Sequence, residues 1–299
     1  MTQRYYTVKH PAYFRRRRFP KRFFVWFLLI GVLAGSGIHA VFFSGFLAVD
    51  TIELRGIVKT PADDLKALVL QHLDGQVLGR VPRNNIALVP AQEITRKILE
   101  RFPRLSSAVV RKKYPHSITV EVAERQYAGV WCAASQPQTA SSNQTVSEDA
   151  PSTPTTTSPL IPLKCFLVDA EGVAYSEAAE SSGVLQLRII EARDNEPQLG
   201  TEVIDPHVLD FFRRAKDALE KRFGIRTSHF EIRGLPDATV YTAHGWQILL
   251  DATKSLDAAL DSFKETIEII DQRTTRIEYI DLRIEGRVYY KTAPPAMNL

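Results

Sequence analysis

Hydrophobic and polar positions along the chain fall into three regimes: one unbroken apolar run, two blocks with helix and strand periodicities, and a polar stretch between those blocks. Residues 23–47 hold no Lys, Arg, Asp or Glu over 25 positions. As a helix this run spans about 37 Å, enough to cross a hydrocarbon core of about 30 Å with some tilt. In the first block residues 49–56 alternate as a half-buried strand, with Ile52 and Leu54 on one face and Gly56 at its end. Thr60 and Pro61 supply a predicted N-cap and first-turn proline, with Asp63 and Asp64 at the positive helix end. Leu65, Leu68, Val69 and Leu73 then form a buried helical stripe. After a polar loop to Pro90, residues 91–102 predict a second helix with Ile94, Ile98, Leu99 and Phe102 inward, stopped by Pro103. Strands are predicted over 107–114 and 117–124, separated by the turn Tyr114-Pro115-His116-Ser117.

Residues 133–164 are almost all Ser, Thr, Pro, Gln and Ala, too few apolar groups to offset their ordering entropy, so this insert is expected to be disordered. Asn143-Gln144-Thr145 within it matches a glycosylation sequon, which matters only in a eukaryotic secretory context, and nothing else in the chain points there. The second block is richer in strands. Residues 166–169 and 173–176 flank Ala170-Glu171-Gly172 as a hairpin, and 184–190 alternate again. A helix over 206–223 opens at Asp205-Pro206 and closes at Gly224, followed by strands near 226–233, 238–243 and 246–252. A helix over 255–270 and strands over 276–284 and 287–291 complete the block. The fold class expected is α+β: an N-terminal transmembrane helix, a strand-helix-helix-strand-strand module, and a larger mixed β/α domain with an antiparallel sheet.

Charge adds an orientation. The net charge is +4, yet eight of the 38 basic residues lie in 1–22 with no acidic residue, leaving 30 against 34 and about −4 for the remainder. Arg15, Arg16, Arg17, Arg18, Lys21 and Arg22 border the apolar run and serve as a topology signal, placing residues 1–22 in the cytoplasm and the bulk of the chain outside. A cleaved signal peptide fits less well, because the run exceeds a signal core and Ile38-His39-Ala40 is bulky where cleavage needs a small residue. The tail's cations are explained by orientation and headgroup attraction, and no nucleic-acid-binding module is expected.

Candidate chemistry is sparse. No phosphate cradle, zinc helix or nucleophile elbow occurs, and the exported His residues are scattered singly. Asp257, Asp261, Glu265 and Glu268 recur at helical spacing beside Lys254 and Lys264, a solvated helix face. Trp131 and Trp246 adjoin strands and are read as packing residues. No enzyme activity, cofactor, metal or small-molecule substrate is expected. His39, inside the run, is open to a functional or a merely satisfied reading.

Several segments taken in order resemble a known family. Val49-Asp50-Thr51-Ile52-Glu53-Leu54-Arg55-Gly56, the two helices, Arg111-Lys112-Lys113-Tyr114-Pro115 and Ile118-Thr119-Val120-Glu121-Val122-Ala123-Glu124-Arg125 resemble a POTRA domain. The continuation Tyr127-Ala128-Gly129-Val130-Trp131, then Phe166-Leu167-Val168-Asp169 through Val173, and the closing Tyr279-Ile280-Asp281-Leu282-Arg283 with Val288-Tyr289-Tyr290-Lys291, resemble the FtsQ/DivIB cell-division proteins. The resemblance implies a non-enzymatic, single-pass scaffold of the divisome in the cell membrane, enriched at the division site, with partners of the FtsB and FtsL type. The implied domains are a basic tail (1–22), a transmembrane helix (23–47), a POTRA domain (49–131), the insert (133–164), a β domain (165–292) and a tail (293–299). The insert departs from the family, which has a short connection there.

The last strands lie where a sheet edge is expected, and an open edge accepts a partner strand. Partner-binding candidates are Ile280, Leu282, Arg283, Ile284, Val288, Tyr289 and Tyr290; the plainer reading is that these strands only finish the core sheet. Cys132 and Cys165 face each other if 127–132 and 165–169 pair antiparallel, as a disulfide or as two thiols. A POTRA-bearing accessory of protein translocation or outer-membrane transport is the rival function, though it would normally carry tandem repeats or a barrel.

Overall fold

The computed structural model describes residues 3, 21–43, 45–77, 81–135, 160–178, 186–193, 195–270 and 276–292. The cations Arg15 to Arg18, most of the polar insert and the closing tail lie outside them.

Helix α1 (Lys21–Phe43) carries the apolar run. Its side chains are described without a break only from Arg22 to Gly37, and among the described residues no helix is long and apolar enough to cross a membrane. The span expected over 23–47 is shortened at its end: α1 stops at Phe43, and residues 45–47 are turn residues, with Leu47 O bonded to Ile86 N–H at 2.8 Å. Within α1, Phe23, Phe24, Trp26 and Phe27 are 67–81% exposed, so no protein core covers this apolar surface.

The small domain follows as β1 (Thr51–Arg55), α2 (Ala62–Leu73), the short pair β2 (Gln76–Val77) and β3 (Val81–Pro82), α3 (Ala91–Arg101), β4 (Leu105–Lys113) and β5 (Ser117–Glu124). Its main sheet has the order β1-β5-β4, with β1 parallel and β4 antiparallel to β5. Leu65, Val69 and Leu73 of α2 and Ile94 and Ile98 of α3 pack on Ile118, Val120 and Val122 of β5. Burying each such side chain contributes about 1.5–3 kcal/mol. β1 stops at Gly56, whose φ is +85° and whose missing Cβ would lie 1.9 Å from the Val122 carbonyl oxygen. The predicted cap at Thr60 is not made: Pro61 occupies the N-cap without a side-chain bond, and Thr60 instead gives its N–H to Glu124.

The larger domain comprises β6 (Gly129–Ala134), β7 (Pro162–Val168), β8 (Ala174–Glu177), β9 (Arg188–Ala192), α4 (Pro206–Phe223), β10 (Thr227–Gly234), β11 (Asp237–Thr242), β12 (Gln247–Asp251), α5 (Leu256–Ile269), β13 (Ile277–Asp281) and β14 (Tyr289–Thr292). They form one nine-stranded sheet, ordered β14-β13-β12-β11-β10-β9-β6-β7-β8. The expected antiparallel sheet is corrected to a mixed one. β9–β10 and β12–β13 pair in parallel because α4 and α5 are crossovers that return the chain in its starting direction, and β6–β9 pair in parallel with the β7–β8 hairpin between them in sequence. Both helices pack on one face over Trp131, Phe166, Phe212, Phe230, Trp246 and Phe263. On the other face a smaller cluster gathers Val130, Cys132, Ala134, Leu160 and Ile190.

Two boundaries shift. Residues 129–131, expected at the end of the POTRA block, belong to β6 of the large sheet, so the small domain ends near Arg125. The insert is shorter than its composition predicts. Ala133 and Ala134 are buried in β6, Leu160 is 3% exposed, and β7 starts at Pro162. Small or apolar residues at a strand's end are compatible with burial even when they border a polar tract.

Candidate partner-binding edge

The sheet has two edges of different character. At β8, the loop before α4 adds main-chain bonds: Ala174 donates to Thr201 O at 3.0 Å and Gly200 to Ala174 O at 2.7 Å. The small domain closes the same side, with Arg104 donating to Ser176 Oγ at 3.1 Å and lying over the Tyr175 ring. At the opposite edge, among the described residues nothing pairs with β14 on its outer side, and all four of its residues are exposed.

The seven candidates divide by position. Ile280 and Leu282 are 0% and 5% exposed and belong to the core, because the parallel β12–β13 register sets Ile280 beside Ile248 under α5. Their side chains are therefore not offered to a partner. Val288 is half-buried against the same core. Ile284, Tyr289 and Tyr290 are 50%, 49% and 52% exposed and define the accessible surface. Register places Tyr290 opposite Ile280 on the helix side, and Tyr289 opposite Asp281 on the other face.

Arg283 is held within the chain. Its Nε and Nη2 donate to Asp281 at 3.0 and 2.7 Å, and Nη1 donates to Asp237 at 3.1 Å. The paired Asp281 carboxylate, with Asp237 beside it, raises the Arg283 pKa further although burial opposes it. This fork ends β13 at Asp281, short of the strand to 284 that the pattern predicts. Lys254 Nζ adds a bond to Arg283 O at 2.5 Å, tying the turn before α5 to the turn before β14. Between those turns lies a shallow cleft lined by Leu256, Ala259, Ser262, Ile284, Glu285 and Arg287. Sequence reading misses it, since its walls come from separate segments with no local signature. Cross-strand, Lys291 donates to Glu278 at 3.2 Å. The edge therefore offers an aromatic and aliphatic surface on a braced hairpin.

Elsewhere, Cys132 and Cys165 stand directly opposite across β6 and β7 and are joined, with S–S 2.04 Å. Trp131 Nε1 donates to Glu191 at 2.8 Å and Trp246 is 8% exposed, so both tryptophans are packing residues. No group of three or more His, Cys, Asp or Glu side chains able to hold a metal occurs among the described residues.

With this geometry in view, the comparison with known families decides the small domain. Residues 47–125 match the POTRA domain, FtsQ-type. The chain carries an FtsQ-type POTRA domain. The match supports an FtsQ/DivIB-family protein, as the resemblance in the sequence implied, and ends at Arg125, just beyond β5. POTRA domains form a non-catalytic interaction family, consistent with a chain that is not an enzyme, and the FtsQ type is the division-related one. None of the curated proteins matches the chain.

Proposed function

We propose that the chain is a single-pass membrane scaffold of the bacterial division machinery, and that β14 receives a strand from a partner protein of the FtsB or FtsL type. The observation that carries this reading is the asymmetry of the large sheet: β8 is covered by main chain and by the POTRA domain, whereas among the described residues nothing pairs with the outer side of β14. An uncovered strand exposes N–H and C=O groups that an added strand satisfies, giving affinity through the main chain. Ile284, Tyr289 and Tyr290 then read the partner's side chains.

The membrane anchor is the part of the apolar run carried by α1, residues 23–43, with residues 1–22 cytoplasmic and both folded domains exported. Support comes from the uncharged run, the cations before it and the exposed apolar surface of α1. Recruitment to the division site is part of the same proposal, and the FtsQ-type POTRA domain is what supports it. The test is co-purification of FtsB- and FtsL-type proteins with the full chain and with Ile284→Glu and Tyr290→Glu variants. Loss of capture by variants of unchanged near-ultraviolet circular dichroism is expected, and undiminished capture removes the strand-addition reading. Midcell enrichment of a fluorescent fusion tests the division role separately; uniform membrane signal contradicts it.

A further inference from the structure

The POTRA sheet has a membrane end and a far end, and its membrane end carries exposed aromatic and basic groups. The chain leaves α1, which ends against β3, and passes through Gly45 to Val49 before entering β1. That passage is pinned by Ile86 N–H to Leu47 O at 2.8 Å, Val49 N–H to Asn84 O at 2.9 Å and Asp50 N–H to His116 O at 2.9 Å. The last bond brings the β4–β5 turn, Tyr114 to His116, to the end of the sheet where α1 enters. Seven residues from Phe43 to Asp50 reach at most about 25 Å even when extended. Tyr114 is 62% exposed at this end and Phe46 is 70% exposed. Lys112, Lys113 and Arg83 lie at the same end beside the carboxylates of Asp50, Glu53 and Asp74, since Arg83 N–H bonds Gly75 O at 3.0 Å, so three positive charges meet three negative ones. Lys113 pairs with Glu53 at 3.4 Å while 62% exposed, and Lys112 donates to Ala87 O at 3.1 Å.

We propose that this end of the POTRA domain, Tyr114 and Phe46 with Arg83, Lys112 and Lys113, docks on the headgroup layer of an anionic phospholipid bilayer. A tyrosine ring is suited to the level where an apolar body meets wet headgroups, and lysine and arginine add attraction to anionic lipid. The charges at this end balance, so the aromatics are the main anchor and the lysines on the β4–β5 hairpin add only a bias towards anionic lipid. The inference rests on the reading of α1 as a membrane span, which sets the bilayer beside this end. Docking there holds the POTRA axis at a fixed tilt to the bilayer.

The experiment uses the full chain in vesicles of phosphatidylglycerol and phosphatidylcholine containing a headgroup-level nitroxide quencher. The chain's two cysteines are bonded to each other, so a fluorophore on His116→Cys, exposed in the same turn, or on Val58→Cys as a control, labels one site and leaves Tyr114 in place. Val58 is 80% exposed and lies past the other end of β1, about 17 Å further from α1 for five strand residues. Quenching at 116 at least about twofold that at 58 is expected, falling to the control in a Phe46→Ser/Tyr114→Ser background and part of the way in phosphatidylcholine alone. Equal quenching at the two positions, or quenching at 116 unchanged by loss of both aromatics, overturns the proposal. Carbonate extraction reports on the span by itself. A chain that resists extraction without quenching at 116 keeps the span and loses the docking. One that is extracted yet quenched at 116 at neutral pH keeps the docking and loses the span.

Discussion

Arg125, just past the last POTRA strand, is ion-paired with Asp169 of the large domain, and the Asp169 side chain is 2% exposed. Arg125 Nε also donates to Pro103 O at 3.2 Å, and Asp169 accepts the Val173 N–H at 2.9 Å, so one pair links a turn in each domain. Removing one partner leaves the other buried and uncompensated. Asp169→Ala is expected to cost about 3–5 kcal/mol, measured as a fall in the urea midpoint of the full chain. Arg125→Met with Asp169→Leu should cost less than the sum of the single changes, because neither leaves a lone charge.

Glu124 closes the POTRA domain by a different device. Its Oε1 accepts the N–H groups of Val58, Lys59 and Thr60 at 3.0, 2.8 and 2.8 Å. Burial raises its pKa, but the bonds from Thr60, Val58 and Lys59 outweigh that and lower it from 4.5 to about 2. The folded-state value lies below the unfolded one. The stabilisation is therefore complete above pH 4.5 and is lost as pH falls towards 2. Glu124→Gln should cost about 1–2 kcal/mol at neutral pH and flatten the loss of stability across that acid window, read by denaturation at stepped pH.

The bond between Cys132 and Cys165 joins residues 33 apart in sequence. In the chain-entropy account a closed loop of that size stabilises by about 3–4 kcal/mol. Cys132→Ser with Cys165→Ser should lower the urea midpoint accordingly. Thiol titration of the denatured chain without reductant should find no free thiol, and two would contradict the pairing.

Gly172 has φ +71°, and a Cβ there would stand 1.9 Å from the Ile204 carbonyl oxygen. Its N–H and C=O also bond Asp169 O and Val203 N at 3.0 and 2.9 Å. Gly172→Ala is expected to cost more than about 2 kcal/mol, seen as a lower thermal midpoint, whereas Gly234→Ala, with open space around it, should cost much less.

How far the fold could be read depended on whether its determinants were local. Helix α4 runs Pro206–Phe223 as the caps foretold, because Asp205 accepts the His207 N–H at 2.7 Å and Gly224 takes φ +69°. A strand over 127–132 entered the sequence reading only as a condition for pairing with 165–169, and a strand's own residues carry no information about which further neighbour it takes, so the place of β6 beside β9 was hidden. Thr60 fitted a cap by type, yet Glu124, 64 residues away, takes its N–H. The candidate edge was legible as the chain's last hairpin. The split between buried Ile280 and Leu282 and exposed Ile284, Tyr289 and Tyr290 was not, because it depends on α5 covering one side of the sheet.

The order of the nine strands makes the large domain a lever. β8 rests on the POTRA domain and β14 lies eight strand spacings away, about 38 Å at about 4.8 Å each. One degree of rocking at the Arg125–Asp169 joint would displace the far rim by about 0.7 Å over that arm. That is enough to misalign main-chain hydrogen bonds after only a few degrees. If β14 receives a partner strand as proposed, stiffness at the fulcrum is what would keep the two in register.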